Sequence, residues 1–118
     1  TNTGENISFT CDLLKKKNLH LKTFLTVQKP NMTRRAYASI CQQAPHLDIR
    51  MSSPNIALEE YPYEWLDLEH IVHTMVGDLE RIVTYPSLGF QISQDVPNEV
   101  LRAKERLVNM GYTKHCLQ

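Results

Sequence analysis

The chain has 118 residues, of which 42% are hydrophobic and 22% charged, so a single domain with an ordinary core is expected. Thirteen basic and thirteen acidic residues cancel, unlike the strongly basic balance of most nucleic-acid-binding modules. No apolar run approaches the roughly 18 residues that span a membrane, so no membrane partner is expected.

The charges are segregated along the chain. Residues 1–50 contain eight basic and three acidic residues. Residues 51–100 contain one basic and nine acidic residues, and residues 101–118 contain four basic and one acidic residue. Such a pattern indicates charge complementarity, either with a partner or within the chain, and it says nothing about the fold.

The N-terminal half contains one clear helix and two ambiguous segments. Residues 7–14 have helical spacing, whereas residues 19–27 fit either an alternating strand or a short helix. A helix is predicted from about residue 33 to residue 43, capped by Asn31 or Thr33 and ended by Pro45. Residues 46–51 alternate in polarity and fit a short strand.

The C-terminal half is dominated by a long helix predicted over residues 64–84. Its apolar side chains fall on one stripe, and Pro86 ends it because the residue before a proline avoids the helical region. Residues 88–92 fit a short strand or an extended segment. Asp95 is then expected to cap a last helix that carries Pro97 in its first turn and ends at Gly111.

The predicted fold is therefore mainly α, a small domain of three to five helices around the long amphipathic helix at about 64–84, with a short strand pair as an addition. We expect residues 1–118 to form one α-rich domain that belongs to a larger protein. Three widely spaced cysteines favour reduced thiols, and therefore an intracellular location in the cytoplasm or nucleus.

Catalytic and cofactor motifs are lacking in the sequence. The four glycines never cluster, which excludes a phosphate-binding loop and a dinucleotide fingerprint. His70 and His73 could face one ion from a helix, but a zinc site needs three or four ligands. Cys41 lies on the apolar face of its helix, as a buried cysteine does. We therefore expect no enzyme activity, no metal and no cofactor.

An acidic and aromatic segment precedes the long helix, and aromatic side chains offer much contact area for few rotatable bonds. Gly77, in the middle of that helix, costs about 1 kcal/mol relative to Ala and indicates close approach of a second chain or of a later part of this one. Alternatively, the aromatic residues pack locally and Gly77 bends an exposed helix. The predicted partner-binding residues are Glu59, Glu60, Tyr61, Tyr63, Trp65, His70, His73 and Gly77.

The function that this sequence favours is a non-catalytic protein–protein interaction module, used for assembly or as an adaptor in a regulatory protein. Its partner would be another protein or a second copy in a homodimer, since opposite charge blocks can pair between copies. The alternative is a nucleic-acid-binding domain that uses the basic N-terminal half. Its predicted contact residues are Lys15, Lys16, Lys17, Lys22, Arg34 and Arg35.

Overall fold

The structure is a computed structural model that describes residues 2–64 and 66–117. Within these residues it has four α-helices and a short pair of parallel strands, and 56% of the residues are helical, which confirms a mainly α fold with a strand pair. Single turns of 3-10 helix lie at Pro30–Met32, Leu58–Glu60 and Tyr85–Leu88. In chain order the main elements are α1 (Thr3–Lys16), β1 (Thr23–Val27), α2 (Thr33–Gln43), β2 (Asp48–Ser52), α3 (Leu68–Thr84) and α4 (Asn98–Asn109).

The first helix resolves the ambiguity of the N-terminal segment. The side chain of Asn2 accepts a hydrogen bond from the Glu5 amide and the Glu5 carboxylate accepts one from the Asn2 amide, which together cap the helix. Lys15 and Lys16 occupy the last turn, where cations are favourable. Asn18 takes a positive φ of 55°, and the chain turns there toward β1.

The strands and α2 form a βαβ unit. β1 and β2 are parallel, with Phe24 opposite Ile49, and α2 makes the crossover between them that parallel strands require. α1 and α2 cover the same face of this pair, since Ile7 of α1 and Ile40 of α2 line one cavity together with Phe24 and Ile49. The strand pair is thus packed on one face by two helices.

The long helix is shorter at its start than predicted. α3 begins at Leu68 because the side chain of Asp67 accepts a hydrogen bond of 2.7 Å from the His70 amide and caps the helix there. Tyr63 and Leu66 form an antiparallel bridge, so the segment before Asp67 turns back on itself instead of extending the helix. The predicted end at residue 84 is correct.

The segment between α3 and α4 is extended, but it does not join the sheet. Residues 89–95, here called the strap, begin with Gly89, which has a φ of 74°. The Ile92 amide donates to the carbonyl of Ala38 on α2, and Arg34 of α2 donates to the carbonyl of Asp95. Asp95 therefore does not cap α4; that helix starts after Pro97, and Gly111 follows it with a positive φ of 99°.

The buried apolar residues come mainly from α2 and α3. Ala36, Ala38 and Ile40 of α2 are buried, and Ile71, Val76 and Ile82 of α3 are buried too. No helix among the described residues is both long and apolar enough to cross a membrane.

A buried polar network ties these elements together. Asp78 of α3 is 4% exposed, and its two carboxylate oxygens accept hydrogen bonds from Arg35 Nη1 at 2.8 Å and Asn31 Nδ2 at 3.0 Å. The hydroxyl of Tyr61 donates in turn to Asn31 Oδ1 at 3.1 Å. A charge this deeply buried is tolerated only because it is paired and hydrogen-bonded.

Asp78→Asn should destabilise the fold strongly, because it leaves the partly buried Arg35 guanidinium without its counter-charge. Arg35 is 22% exposed, so we expect a loss of about 3 kcal/mol, near the lower end for a broken buried ion pair. The measurement is the free energy of unfolding from urea denaturation. The matched control is Asp12→Asn, which removes an exposed pair with Lys15 and should cost less than about 0.5 kcal/mol. Equal effects of the two variants would contradict the structural role of Asp78.

Candidate functional site

In the described part of the chain, the face of the strand pair that lies away from α1 and α2 is exposed to solvent. Leu25 and Val27 of β1 point to this face with 69% and 65% of their surface exposed. These two side chains form an exposed apolar surface, and we call the exposed face of β1 the open sheet.

The outer edge of β1 is open as well. The Asp48 amide donates to the carbonyl of Lys22, and the Gln28 amide donates to the carbonyl of Ser52. Because a parallel ladder uses alternate residues of each strand, the even-numbered residues of β1 bond to β2. The backbone groups of Thr23, Leu25 and Val27 therefore point to the other edge, where the described residues provide no neighbouring strand.

The second strand differs from the first on the same face. Asp48 and Arg50 are exposed there and form an ion pair with each other at 3.1 Å. Charged side chains on an edge strand commonly prevent it from pairing with strands of other chains. The open side of the sheet is therefore the β1 side.

The predicted acidic and aromatic patch is split between core and surface. Tyr61 is 5% exposed and belongs to the buried network, and burial raises the pKa of its hydroxyl. Tyr63 is exposed, and its ring meets that of Tyr61 edge to face at 6.1 Å. Glu59 and Glu60 are exposed beside it, whereas Trp65 lies outside the described residues. Tyr61 thus lies in the core, and its predicted contact with a partner stays a prediction.

The predicted binding face of α3 is covered by the chain's own C-terminal residues 112–117, here called the tail. His73 is 3% exposed; its Nδ1 accepts a hydrogen bond from the Lys114 amide, and its ring lies 5.1 Å from that of Tyr112. The exposed His70 contacts the ring of His115 edge to face at 5.2 Å. The part of this face formed by His73 is therefore buried within the chain, which is the physical reason against its use by a partner.

Gly77 is where the tail comes closest to α3. A Cβ at this position would overlap the carbonyl oxygen of His115 and lie 2.8 Å from its carbonyl carbon. Arg81 Nη1 donates to the carbonyls of both Gly77 and His115, at 2.9 and 2.7 Å. The prediction that Gly77 marks a close backbone approach is confirmed, and a later part of the same chain makes that approach.

A carboxylate holds the end of the tail. Glu80 accepts a hydrogen bond of 2.6 Å from the Leu117 amide, and Lys104 Nζ of α4 lies 3.4 Å from its other oxygen. The Leu117 hydrogen bond and the Lys104 charge lower the pKa of Glu80. Lys114 similarly pairs with Glu69 at 3.1 Å and lowers the pKa of that exposed carboxyl.

The six basic residues predicted to bind nucleic acid do not share one surface. Lys15, Lys16, Lys17 and Lys22 lie before β1, at its N-terminal end, whereas Arg34 and Arg35 follow its C-terminal end. A strand of five residues separates the two groups by about 16 Å. Arg34 is bound to the strap and Arg35 to Asp78, so nucleic-acid binding remains a prediction that rests on the lysines.

Residues 2–64 and 66–117 contain no group of three or more His, Cys, Asp or Glu residues placed to hold a metal ion. His70 and His73 lie in different environments, since His70 is exposed and His73 is buried under the tail.

Comparison with known proteins adds one relative. The chain is 33% identical over 112 residues to an uncharacterized protein of Streptomyces coelicolor. The alignment takes in 95% of this chain and 51% of that protein, so the chain spans about half the length of the relative. No family model and no solved structure matches the chain.

The residues of the open sheet are absent from the set predicted from sequence. Leu25 and Val27 lie in the segment that fits either a strand or a short helix, so their exposure could not be deduced. A signal is nevertheless present, because residues 24–27 put Phe and Leu on opposite faces of one strand. Apolar residues on both faces are typical of a strand that is covered on both sides.

Gly77→Ala should displace the tail. An isolated helix gains about 1 kcal/mol from this change, but overlap with the His115 carbonyl outweighs the gain, and we expect a net loss of about 1–3 kcal/mol. Urea denaturation measures the stability, and amide exchange at Lys114 and Leu117 reports the tail. Gly4→Ala is the control, since its Cβ would make ordinary contacts with the Asn2 side chain at 3.4 Å and the Gln43 side chain at 4.0 Å. Unchanged tail protection in Gly77→Ala would show that the close approach is not present in solution.

The hydrogen bond that Glu80 accepts from the Leu117 amide of the tail should stabilise the fold less in acid. Its folded pKa is lowered, so its stabilising contribution is present above the ordinary value of 4.5 and is lost as the pH falls through the folded pKa. Glu80→Gln should therefore be less stable than the unmodified chain at pH 7, and this gap should shrink by pH 3. Urea denaturation at the two pH values measures the gap. The exposed Glu105→Gln serves as control, and a Glu80→Gln gap that does not change with pH would contradict the assignment.

Proposed function

We propose that the chain is a non-catalytic protein-interaction module that assembles with another polypeptide by adding a β-strand beside β1. The observation that carries the proposal is the exposure of Leu25 and Val27, at 69% and 65%, next to an open strand edge. Parallel sheets in folded proteins are normally covered on both faces, and two strands alone are marginally stable. Burial of these side chains by a partner would contribute about 1.5–3 kcal/mol for each one fully covered.

The chemistry of the edge defines the partner. The outward backbone groups of Thr23, Leu25 and Val27 can bond to an extended strand, which would supply main-chain hydrogen bonds. The exposed apolar side chains of β1 would select a strand with apolar residues on the same face. The partner is therefore an extended apolar segment, and its place is beside β1 because β2 carries charges on that face.

When the 118-residue chain is alone, a second copy can supply the strand. Antiparallel pairing of two β1 edges centred on Leu25 would place Leu25 opposite its copy and Thr23 opposite Val27. The apolar side chains of both copies would then share one face, and no like charges would stand opposite each other within the strands. The edge is thus compatible with a symmetric pair.

Val27→Lys should abolish this association. We expect the unmodified chain to show a mass that rises above 13.7 kDa with concentration in light scattering, and Val27→Lys to remain monomeric. The matched control is Val83→Lys on α3, which places the same charge at another exposed valine. Association should also persist in about 0.5 M NaCl, because burial of apolar surface drives it.

Other results would contradict the proposal in distinct ways. Equal masses for Val27→Lys and the unmodified chain would show that β1 does not mediate association. Loss of association in salt would favour pairing of the charge blocks. Salt-sensitive binding of a short RNA or DNA that is lost when Lys15, Lys16 and Lys17 are changed to Glu would favour the nucleic-acid alternative.

A further inference from the structure

Three of the five histidines of the chain meet at one place, the contact between α3 and the tail. His73 of α3 is 3% exposed, and the backbone amide of Lys114 donates to its Nδ1 at 3.3 Å. Nearby on the same helix, the ring of His70 meets that of His115 edge to face, with 5.2 Å between the ring centres. Imidazole is the side-chain group that ordinarily changes its charge between about pH 5 and pH 8, so a contact built on imidazoles responds to pH in that range.

The contacts of His73 fix its protonation state while the tail is bound. An N–H group donates to Nδ1, so Nδ1 carries no proton, and the single proton of the neutral ring lies on Nε2. Nε2 faces Glu69 Oε1 at 3.5 Å. A protonated imidazole carries a proton on both nitrogens, so it offers no acceptor in either ring orientation. Protonation of His73 therefore sets two donors against each other and breaks the contact with Lys114.

Most of the titratable groups around His73 act in the same direction. They are Glu69 and His70 on α3, and Tyr112, Lys114 and His115 on the tail. Of these, Glu69 favours a protonated His73, but its side chain is 63% exposed and is already paired with Lys114 Nζ at 3.1 Å. The charge of Lys114 and, in acid, the charges of His70 and His115 disfavour the protonated ring while the tail is bound.

The other attachments of the tail keep their charges in the same pH range. The pKa values of Glu80 and Glu69 are both lowered by their contacts with the tail, so these carboxyls stay ionised while the histidines take up protons. Arg81, which donates to the His115 carbonyl, also stays charged. From α4, Lys104 approaches the tail through Glu80. A loss of the tail contact between about pH 8 and pH 5 would therefore report protonation of the histidines.

We propose that the tail is a pH-sensitive latch, which covers α3 while His73 is neutral and is released when His73 takes up a proton. The released form binds more protons than the covered form, so a lower pH favours release. Protonation of His70 and His115 adds repulsion at the same contact. Release uncovers the face of α3 around Gly77, where the sequence predicts contacts with a partner, so mild acid makes this face available. The latch is separate from the open sheet and does not depend on strand addition.

The test is amide hydrogen exchange of the isotope-labelled 118-residue chain, followed by NMR between about pH 8 and pH 5. Each rate is compared with that of an unstructured peptide at the same pH, because exchange itself depends on pH. We expect the protection of the Lys114 amide to fall about fivefold or more in acid, as expected for the loss of one hydrogen bond. The amides of Val76 and Ile82 in α3 should stay protected, which excludes unfolding of the domain. Equal protection of Lys114 at both pH values would overturn the proposal.

Two variants separate His73 from the other titrating groups. In His73→Asn the side-chain oxygen takes the place of Nδ1 and accepts the Lys114 hydrogen bond without titrating, so protection of Lys114 should no longer depend on pH. His46→Asn is the matched control, since His46 is exposed in the segment between α2 and β2, and it should keep the full loss in acid.

A second readout does not depend on the stability of the His73→Asn variant. In the unmodified chain, the ring signals of His73 should titrate with the same midpoint as the loss of Lys114 protection. A loss of protection that persists in His73→Asn would overturn the proposal. So would a His73 ring that titrates at a different pH from the release of the tail.

Discussion

The buried ion pair between Arg35 and Asp78 is the constraint on which the arrangement of the other elements depends. Asp78 reaches Arg35 of α2 and Asn31 of the preceding turn, so one carboxylate fixes the start of α2 against the middle of α3. Tyr61 joins through Asn31 and fixes the loop that leads to α3. Since neither charge can be left unpaired at this depth, other packings of the two helices are disfavoured. The strand pair is carried by α2, so its position follows from the same contact.

The segregation of charge along the sequence has a structural explanation in this fold. The described residues contain three ion pairs between distant parts of the chain, and they are Arg35–Asp78, Lys104–Glu80 and Lys114–Glu69. Each joins the acidic middle segment to one of the basic end segments. The charge blocks therefore serve packing within the chain, which was one of the two interpretations of the pattern. An association driven by apolar surface is consistent with blocks that are partly neutralised in this way.

Local signals predicted the helices well and the long-range contacts poorly. The bounds of α2, the end of α3 and the turn at Gly111 follow from periodicity and capping residues close in sequence. The start of α3 was placed too early, because the apolar stripe continues past the Asp67 cap into a turn. The sequence predicts either a strand or an extended segment at residues 88–92, whereas the backbone of the strap bonds to a helix carbonyl that no periodicity reveals. The candidate site residues were harder to predict than the helices. Tyr61, His73 and Arg35 are of residue types that are common at surface contacts, yet partners distant in sequence bury Tyr61 and His73 and partly bury Arg35.

The two strands themselves carry information about what lies beside them. β2 alternates exposed charged residues with half-buried Ile49 and Met51, which is the pattern of a sheet edge that faces solvent. β1 has apolar side chains on both faces, with Phe24 toward the helices and Leu25 and Val27 away from them. Such a strand is typical of the interior of a sheet, where both faces are covered. The helices that the two strands share do not explain this difference, which is consistent with the proposed addition of a strand beside β1 and not beside β2.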